Sequence, residues 1–500
     1  MASNETHPKS LIPMLGLISG PCIVALLLAI GAPSDLADGA HAPPAWIALA
    51  LLSLMAIWWV TEAVPIPVTS LLPLVVVPLS GIGTMAEAAT PYMHPIVVLL
   101  LGGFIFAKAI ENWGLHERIA LNVVSRSGGS PAGLIGGFMV AAALLSMWIS
   151  NSATSIMMMP IAISVAVAIG NGDEHRHHDF TLALLLGIAY GCSIGGLGTP
   201  VGTPTNLIVM GYLNEHGNRE IGFSQWMMLG LPVVALLLPL AWLSLTRWSF
   251  KMPNLDVDSA KEKVADRIEK LGPTSIPERR TLIVFGVIAS LWIFRRSLNQ
   301  LEIPIGADIY MPFAGLTDQV TAIIAVLACF IVPAGGKNRR SQKLLSWDVA
   351  ETIPWGVLLL FGGGMSLAHT IASTGLSVYI GESLAPLTAL PTLLIIVLIT
   401  SVVLALTEVT SNIATASALM PVLGALAFES GLPLEMMAAP VALAASCAFM
   451  LPMATGPNAV VFATRKVSLA TMAKTGFRIN LIAVVVITII AYFLAPLVLA

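Results

Sequence analysis

Charge is what this chain has least of. Asp, Glu, Lys and Arg make up 10% of its 500 residues, while 57% are hydrophobic. Soluble domains carry about 25% charged residues, so a fold wetted on every side is excluded. Cysteine is rarer still. Cys22, Cys192, Cys329 and Cys447 stand far apart in apolar segments with no pair spacing, which excludes a disulfide framework or a cysteine zinc site and leaves them as small packing residues. Catalytic constellations are missing too: the apolar runs hold no His–Glu metal pair and no paired aspartates, which weighs against an intramembrane enzyme.

What is present is long apolar sequence. Leu11 to Ile30, Ala45 to Val60, Ile96 to Ile110 and Leu481 to Leu499 approach or reach the roughly 20 residues that span a bilayer as helix. A barrel would instead show alternating segments of about ten residues. The expected class is an all-α polytopic membrane protein. Leu11 to Ile30 is too long for a signal-peptide core and is expected to be the first retained span. Spans are expected near 45–63, 66–82, 93–112, 178–213 (interrupted), 226–248, 281–298, 318–334, 354–373, 437–464 (interrupted) and 478–499. Basic residues cluster at Lys251 to Arg280, at Lys337 to Lys343 and at Arg465 to Arg478, while the loop after the first span carries Asp35 and Asp38. The positive-inside rule then places the N-terminus and all three clusters in the cytoplasm, with only Arg219, Arg295 and Arg296 outside. A plasma or inner membrane is the expected location.

The chain repeats itself. "SNSATSIMMMP" from Ser150 returns as "SNIATASALMP" from Ser411, 261 residues on. At the same offset Gly102-Gly103 matches Gly363-Gly364, Gly114-Leu115 matches Gly375-Leu376, Ser146 matches Thr407 and Pro160 matches Pro421. After a shift of nine, Gly202-Thr203-Pro204-Thr205-Asn206 matches Ala454-Thr455-Gly456-Pro457-Asn458. The expected organisation is an N-terminal half 1–250 (hairpin 131–170, interrupted helix 178–213), a cytoplasmic linker 251–280, and a C-terminal half 281–500 (hairpin 389–429, interrupted helix 437–464). Five crossings separate the two Ser-Asn stretches, and an odd number inverts the second copy. Inverted repeats with a site at their shared interface are a signature of secondary transporters. Pro391 to Leu406 covers about 24 Å as helix, short of the hydrocarbon core of about 30 Å, so the Ser-Asn tips are expected inside the membrane as re-entrant hairpins.

Irregular backbone at that depth is tolerated only where protein buries it or it lines a cavity. Each returning arm points its positive N-terminal end at the tip, which suits an anion. The two Gly-, Pro- and Thr-rich breaks free carbonyl oxygens, hard ligands of the kind that bind sodium in discontinuous transporter helices. The candidate sodium ligands are Ser146, Ser150, Asn151 and the backbone of Gly202 in the first copy. In the second they are Thr407, Thr410, Asn412 and the backbone of Ala454. A lone Ser or Thr in such a helix more often bonds back to its own turn; here the positions recur in register. No Lys or Arg falls in either tip or either break. A bound anion must therefore be neutralised by helix ends, neutral donors and co-bound cations, since an uncompensated buried charge is costly. Glu408 is the one acid at a hairpin tip, either functional or a brace for the tip. Glu62 is expected near the cytoplasmic interface.

"SMWISNSATSIMMMP", "TEVTSNIATASALMP", "SCAFMLPMATGPNAVVFATRKVS" and "WWVTEAVPIPVTSLLP" together resemble the signature blocks of the divalent anion:sodium symporter family, from about residue 45 onward. The resemblance implies 11 transmembrane helices plus two re-entrant hairpins and a homodimer with an elevator-type transport domain. It implies sodium-coupled symport of C4-dicarboxylates such as succinate, fumarate and malate; some relatives carry citrate or sulfate, and some are sodium-independent dicarboxylate exchangers. The implied partners are a small dicarboxylate, Na+ and membrane lipid, and no nucleic acid. Carried over by position, the implied substrate contacts are Asn151, Ser152, Thr203 and Pro204 from the first copy, and Asn412, Ile413, Thr455 and Gly456 from the second. Ser152 and Ile413 stand where the family signature has threonine, and Gly456 where many relatives have proline.

Overall fold

The computed structural model describes residues 11–32, 42–169, 177–217, 220–252, 257–305, 308–335, 342–384, 386 and 389–499. Asp35, Asp38, residues 174–176, Arg219, Lys337, Arg339 and Arg340 lie outside the described residues.

Helix is the rule, as it must be for backbone in hydrocarbon. α1 (Leu11–Ile30) packs on α2 (Ala42–Thr61), with the Trp46 indole donating to the Leu27 carbonyl at 2.6 Å. The stretch 66–82, expected as one span, is instead two short helices, α3 (Ile66–Thr69) and α4 (Leu72–Leu79). Prolines at 65, 67, 73 and 78 interrupt its amide ladder. Ser70, between the two helices, gives its carbonyl to the Tyr92 hydroxyl and its hydroxyl oxygen to the Trp59 indole. Then follow α5 (Met85–Ala89), α6 (Pro95–Asn112) and α7 (Leu115–Ser125). The first hairpin is α8 (Pro131–Ser146) and α9 (Asn151–Ile169). The first interrupted helix is α10 (His178–Gly195) and α11 (Pro204–His216), parted by a short 3-10 turn and an extended Thr199. α12 (Phe223–Leu243) closes this half.

The 251–280 linker contains a helix that its polar composition hides, α13 (Asp258–Leu271), with Ala260 and Val264 as its buried positions. These lie four apart on one face and pack toward α7 and α9. α14 (Ile276–Asn299) is followed by a small antiparallel ladder, β1 (Ile303–Ile305) and β2 (Asp308–Tyr310), and by α15 (Asp318–Ile331) and α16 (Trp347–Ala350). Next come α17 (Trp355–Ser373) and α18 (Leu376–Leu384). The second hairpin is α19 (Thr392–Thr407) and α20 (Asn412–Ser430). The second interrupted helix is α21 (Leu434–Ala445) and α22 (Gly456–Ala463). α23 (Leu469–Phe493) and α24 (Ala495–Leu499) end the chain. Among the described residues, nine helices are long and apolar enough to cross a membrane. The first arm of each hairpin, 16 residues long, falls short of that length.

The repeat read from the sequence recurs as architecture. All four hairpin boundaries agree at the 261 offset: 131 with 392, 146 with 407, 151 with 412 and 169 with 430. Gly114 and Gly375, paired by the same offset, both adopt positive φ, +67° and +77°, at the turn that restarts a helix. Each hairpin packs on the first half of its own interrupted helix, α8 on α10 and α19 on α21. Each interrupted helix then sends its second half to the other copy's hairpin, α11 to α20 and α22 to α9. The middle of this exchange is dry: the window of α10 is entirely buried. Small residues permit the close approach, since a side chain at Gly195 would collide with the Ala143 backbone. Trp148, in the first tip, stacks on Phe223 and Trp292 and meets Phe285 edge-on at 4.9 Å, tying that tip to α12 and α14.

Candidate functional site

Both hairpin tips and both helix breaks line one open cavity of about 900 Å³. Ser150, Asn151 and Ser152 enter from the first tip, and Thr410, Ser411, Asn412 and Ile413 from the second. Gly202, Thr203 and Pro204 come from the first break, and Ala454, Thr455 and Gly456 from the second. All eight residues that the family resemblance assigns to substrate are thus brought to one wall system. Ser146 and Thr407 sit behind it, each fully buried at the end of its first hairpin arm.

The helix directions decide the electrostatics. α9, α11, α20 and α22 begin at Asn151, Pro204, Asn412 and Gly456, and all four first residues face the cavity. Each N-terminus carries about half a positive charge, so the four together offer on the order of a dianion's complement without a single buried cation. Among the described residues lining the cavity the one base is Lys108, paired with Glu111 at 2.8 Å near the mouth. The lining also includes Thr61 and the solvent-exposed Ile12, Glu62, Thr352 and Pro354. Glu62, whose backbone lies in the left-handed region at φ 49°, therefore belongs to the cavity rim.

Behind the tips the two copies differ. In the first, Ser146 Oγ and Asn151 Oδ1 are buried oxygens with no hydrogen-bond partner among the described residues. A side-chain carbon placed on Gly196 would stand 2.9 Å from Asn151 Oδ1 and 3.1 Å from the Gly202 carbonyl oxygen, so those two oxygens converge over the bare Gly196 α-carbon. Buried, unpaired hard oxygens suit a small cation. In the second copy Thr407 Oγ1 lies 2.8 Å from Asn412 Oδ1 and donates to the Ala445 carbonyl at 2.6 Å. Ser150 and Thr410 are engaged locally. The Ser150 hydroxyl accepts from the Ala153 amide at 3.2 Å as a helix cap, and Thr410 bonds back to the Leu406 carbonyl at 2.9 Å.

Glu408 is a brace. Its carboxylate accepts from the backbone amides of Phe449, Met450 and Leu451 and from Asn480 Nδ2, at 2.7 to 3.1 Å. It thereby satisfies the amides freed where α21 stops. The 261-offset partner of Glu408 is Met147, whose carbonyl accepts from the Thr199 hydroxyl, and Thr199 is the partner of Leu451 at the offset of the breaks. Both copies tie the same two positions together, one with a carboxylate and one with a hydroxyl. The sequence paired Asn206 with Asn458 but gave them no role, and it carried no signal for Ser446, which links the copies through Thr205 Oγ1 at 2.6 Å. A Gly-x-Ser-x-Gly spacing does occur, at Gly191 to Gly195. It lies within α10 with Ser193 buried, so it lacks the strand–turn–helix setting of a nucleophile elbow.

Residues 16–500 match the family model described as the sodium:sulfate symporter transmembrane region. The chain is 38% identical over 502 residues to the sodium-dependent dicarboxylate transporter SdcS of Staphylococcus saprophyticus, covering 99% of this chain and 94% of that one. Against SdcS of Staphylococcus aureus it is 37% identical over 504 residues, with the same coverage. Among solved structures it is similar in fold to the Alcanivorax borkumensis YdaH transporter, with TM-score 0.56 and 16% identity over 90% of this chain and 97% of that one. It is also similar to Neisseria gonorrhoeae MtrF, described among antimetabolite efflux pumps, with TM-score 0.57 and 12% identity over 95% and 97%.

Proposed function

The chain belongs to the divalent anion:sodium symporter family, a family of transporters rather than enzymes, and from that premise we propose that it is a secondary active transporter coupling Na+ to the symport of C4-dicarboxylates such as succinate, fumarate and malate. One observation carries the reading: two repeated tips and two repeated breaks aim four helix N-termini into one cavity, with the buried, unpaired oxygens of Ser146 and Asn151 beside it. The anion sits among Asn151, Ser152, Thr203 and Pro204 on one side and Asn412, Ile413, Thr455 and Gly456 on the other. Sodium enters behind the tips, at Ser146, Asn151 and the Gly202 carbonyl, and at Thr407, Asn412 and the Ala454 carbonyl. Ser150 and Thr410 close these sites from the tip side.

Coupling follows from charge. A dianion among neutral donors is stabilised further by each cation held one layer behind, so each ligand raises the other's affinity. The halves 1–250 and 281–500, joined by 251–280, act as inverted copies, and the paired hairpins and interrupted helices form the moving body of an elevator within a homodimer. The face bearing the cavity mouth is cytoplasmic.

The test is uptake of labelled succinate into proteoliposomes under an inward sodium gradient, with an equal potassium gradient as control. The expected result is accumulation with sodium alone, competed by fumarate and malate more strongly than by citrate or sulfate. Equal uptake in both salts overturns sodium coupling, and uptake competed by sulfate alone overturns the substrate class.

A further inference from the structure

Asn206 and Asn458 are each the third residue of the second half of an interrupted helix, and each is fully buried. The side-chain amide of Asn206 donates to the carbonyls of Gly196 at 2.9 Å and Thr199 at 2.8 Å. That of Asn458 donates to the carbonyls of Ala448 at 3.1 Å and Leu451 at 3.0 Å. In both copies the acceptors lie ten and seven residues back along the chain. Each asparagine thus straps the two ends of its break together, using both hydrogens of one amide group.

The strap has a consequence for ions. The first break contains Gly202, whose carbonyl oxygen converges with Asn151 Oδ1, and the second contains Ala454 at the matching position. Gly196, whose own carbonyl Asn206 holds, is the floor over which Asn151 Oδ1 and the Gly202 carbonyl converge. A carbonyl is a useful ion ligand only if its direction is fixed within a fraction of an ångström. Backbone carbonyls at a break have no helical ladder to fix them.

We propose that Asn206 and Asn458 are the positioning residues of the two cation sites, each holding its break so that the carbonyl ligand points at the ion; the proposal rests on the sodium-coupled reading above. Neither touches substrate: both are buried away from the cavity wall, which Thr203, Pro204, Thr455 and Gly456 provide. A floor difference accompanies the strap. The position matching Gly196 in the second copy is Ala448, so the second copy carries a methyl group where, in the first, Asn151 Oδ1 and the Gly202 carbonyl close over a bare α-carbon.

The experiment compares wild-type protein with Asn206→Asp and Asn458→Asp, which keep the shape and an oxygen but remove both donors. It also includes Gly196→Ala, which sets a methyl group 2.9 Å from Asn151 Oδ1. The readouts are the sodium concentration for half-maximal uptake, the succinate concentration for half-maximal uptake at saturating sodium, and the melting-temperature rise caused by sodium against choline in detergent. The expected result is a rise of about fivefold or more in half-saturating sodium, the order of one net hydrogen bond, with half-saturating succinate at saturating sodium unchanged. A merely structural role would instead lower the maximal rate and the melting temperature and leave half-saturating sodium alone. That outcome in both asparagine variants overturns the proposal. If those variants do not fold, Gly196→Ala decides: an unchanged sodium response there overturns the proposal as well. A wild type indifferent to sodium is a different failure, since it removes the functional reading and this proposal together.

Discussion

Ser152 and Gly456, two of the three positions where the chain departs from its family's signature, touch each other across the two copies. A side-chain carbon on Gly456 would collide with the Ser152 hydroxyl, so the small residue on one tip's neighbour makes room for the hydroxyl of the other tip. Gly456→Ala is expected to reduce succinate uptake, with a strain on the order of 1–3 kcal/mol, and Gly456→Ala combined with Ser152→Ala to recover part of it; uptake by the two variants side by side checks this. Ile413, the third departure, lines the same cavity without a hydroxyl. Ile413→Thr adds a donor, and a hydrogen bond to a charged group contributes roughly 1.5–3 kcal/mol. The expected outcome is about a tenfold change in the competition ranking of succinate, malate and citrate at saturating sodium. Glu408 belongs at this scale as well. Glu408→Gln turns an acceptor of three backbone amides into a group that must present a donor to one of them, at a cost of about 2–3 kcal/mol. The lost stability is expected as a lower melting temperature in detergent.

Between elements, one buried ion pair ties α12, α14 and α15 together. Arg295 near the end of α14 reaches Asp318 at the start of α15 at 3.3 Å and Glu220 before α12 at 3.2 Å. The Asp318 carboxylate also accepts from the Phe223 amide at 2.7 Å, and its backbone carbonyl accepts from the Trp292 indole at 3.0 Å. Asp318 is 3% exposed and Arg295 8%. Removing one partner of a buried pair strands the other, at about 3–5 kcal/mol. Arg295→Leu is therefore expected to lower the melting temperature sharply, and Arg295→Leu with Asp318→Asn to lower it less than the single change. Equal loss in both variants would show that the pair is not what fixes α14 to α15.

For the molecule as a whole, the cavity opens toward one face only if its rim residues share that face. Thr61 ends α2, Glu111 is next to last in α6 and Pro354 precedes α17, all three line the cavity, and α13 packs on α7, which follows α6. Val409, at the second tip, is 58% exposed into this space. In a cysteine-free background, Val409→Cys is expected to react with an impermeant thiol reagent from the same side as Ala265→Cys in α13. Sodium with succinate should slow the first reaction and not the second. Reaction from opposite sides would contradict the cavity's direction.

The sequence by itself determined the membrane class, the helical content, the twofold repeat and the composition of the tips. Hydropathy, proline and glycine act within a few residues of themselves, and a repeat is visible as an offset between letters. It also pointed to oxygen ligands rather than charges, because no Lys or Arg entered the tips. Only the tertiary structure decided which residues answer one another. Glu408 could be a functional acid or a brace until the amides of residues 449 to 451 and Asn480 came within reach. Asn206 and Asn458 were matching letters until their amides were seen spanning the breaks. Ser146 and Thr407 looked equivalent, yet the first is left without a partner among the described residues while the second donates to the Ala445 carbonyl with Asn412 Oδ1 also within reach. The α13 helix and the break at Ser70 escaped a reading by composition, because a few buried contacts fix them rather than a long apolar run. These outcomes turn on contacts that periodicity and composition do not encode, some across seven or ten residues, as at the asparagine straps, and some across about forty or more, as at Glu408.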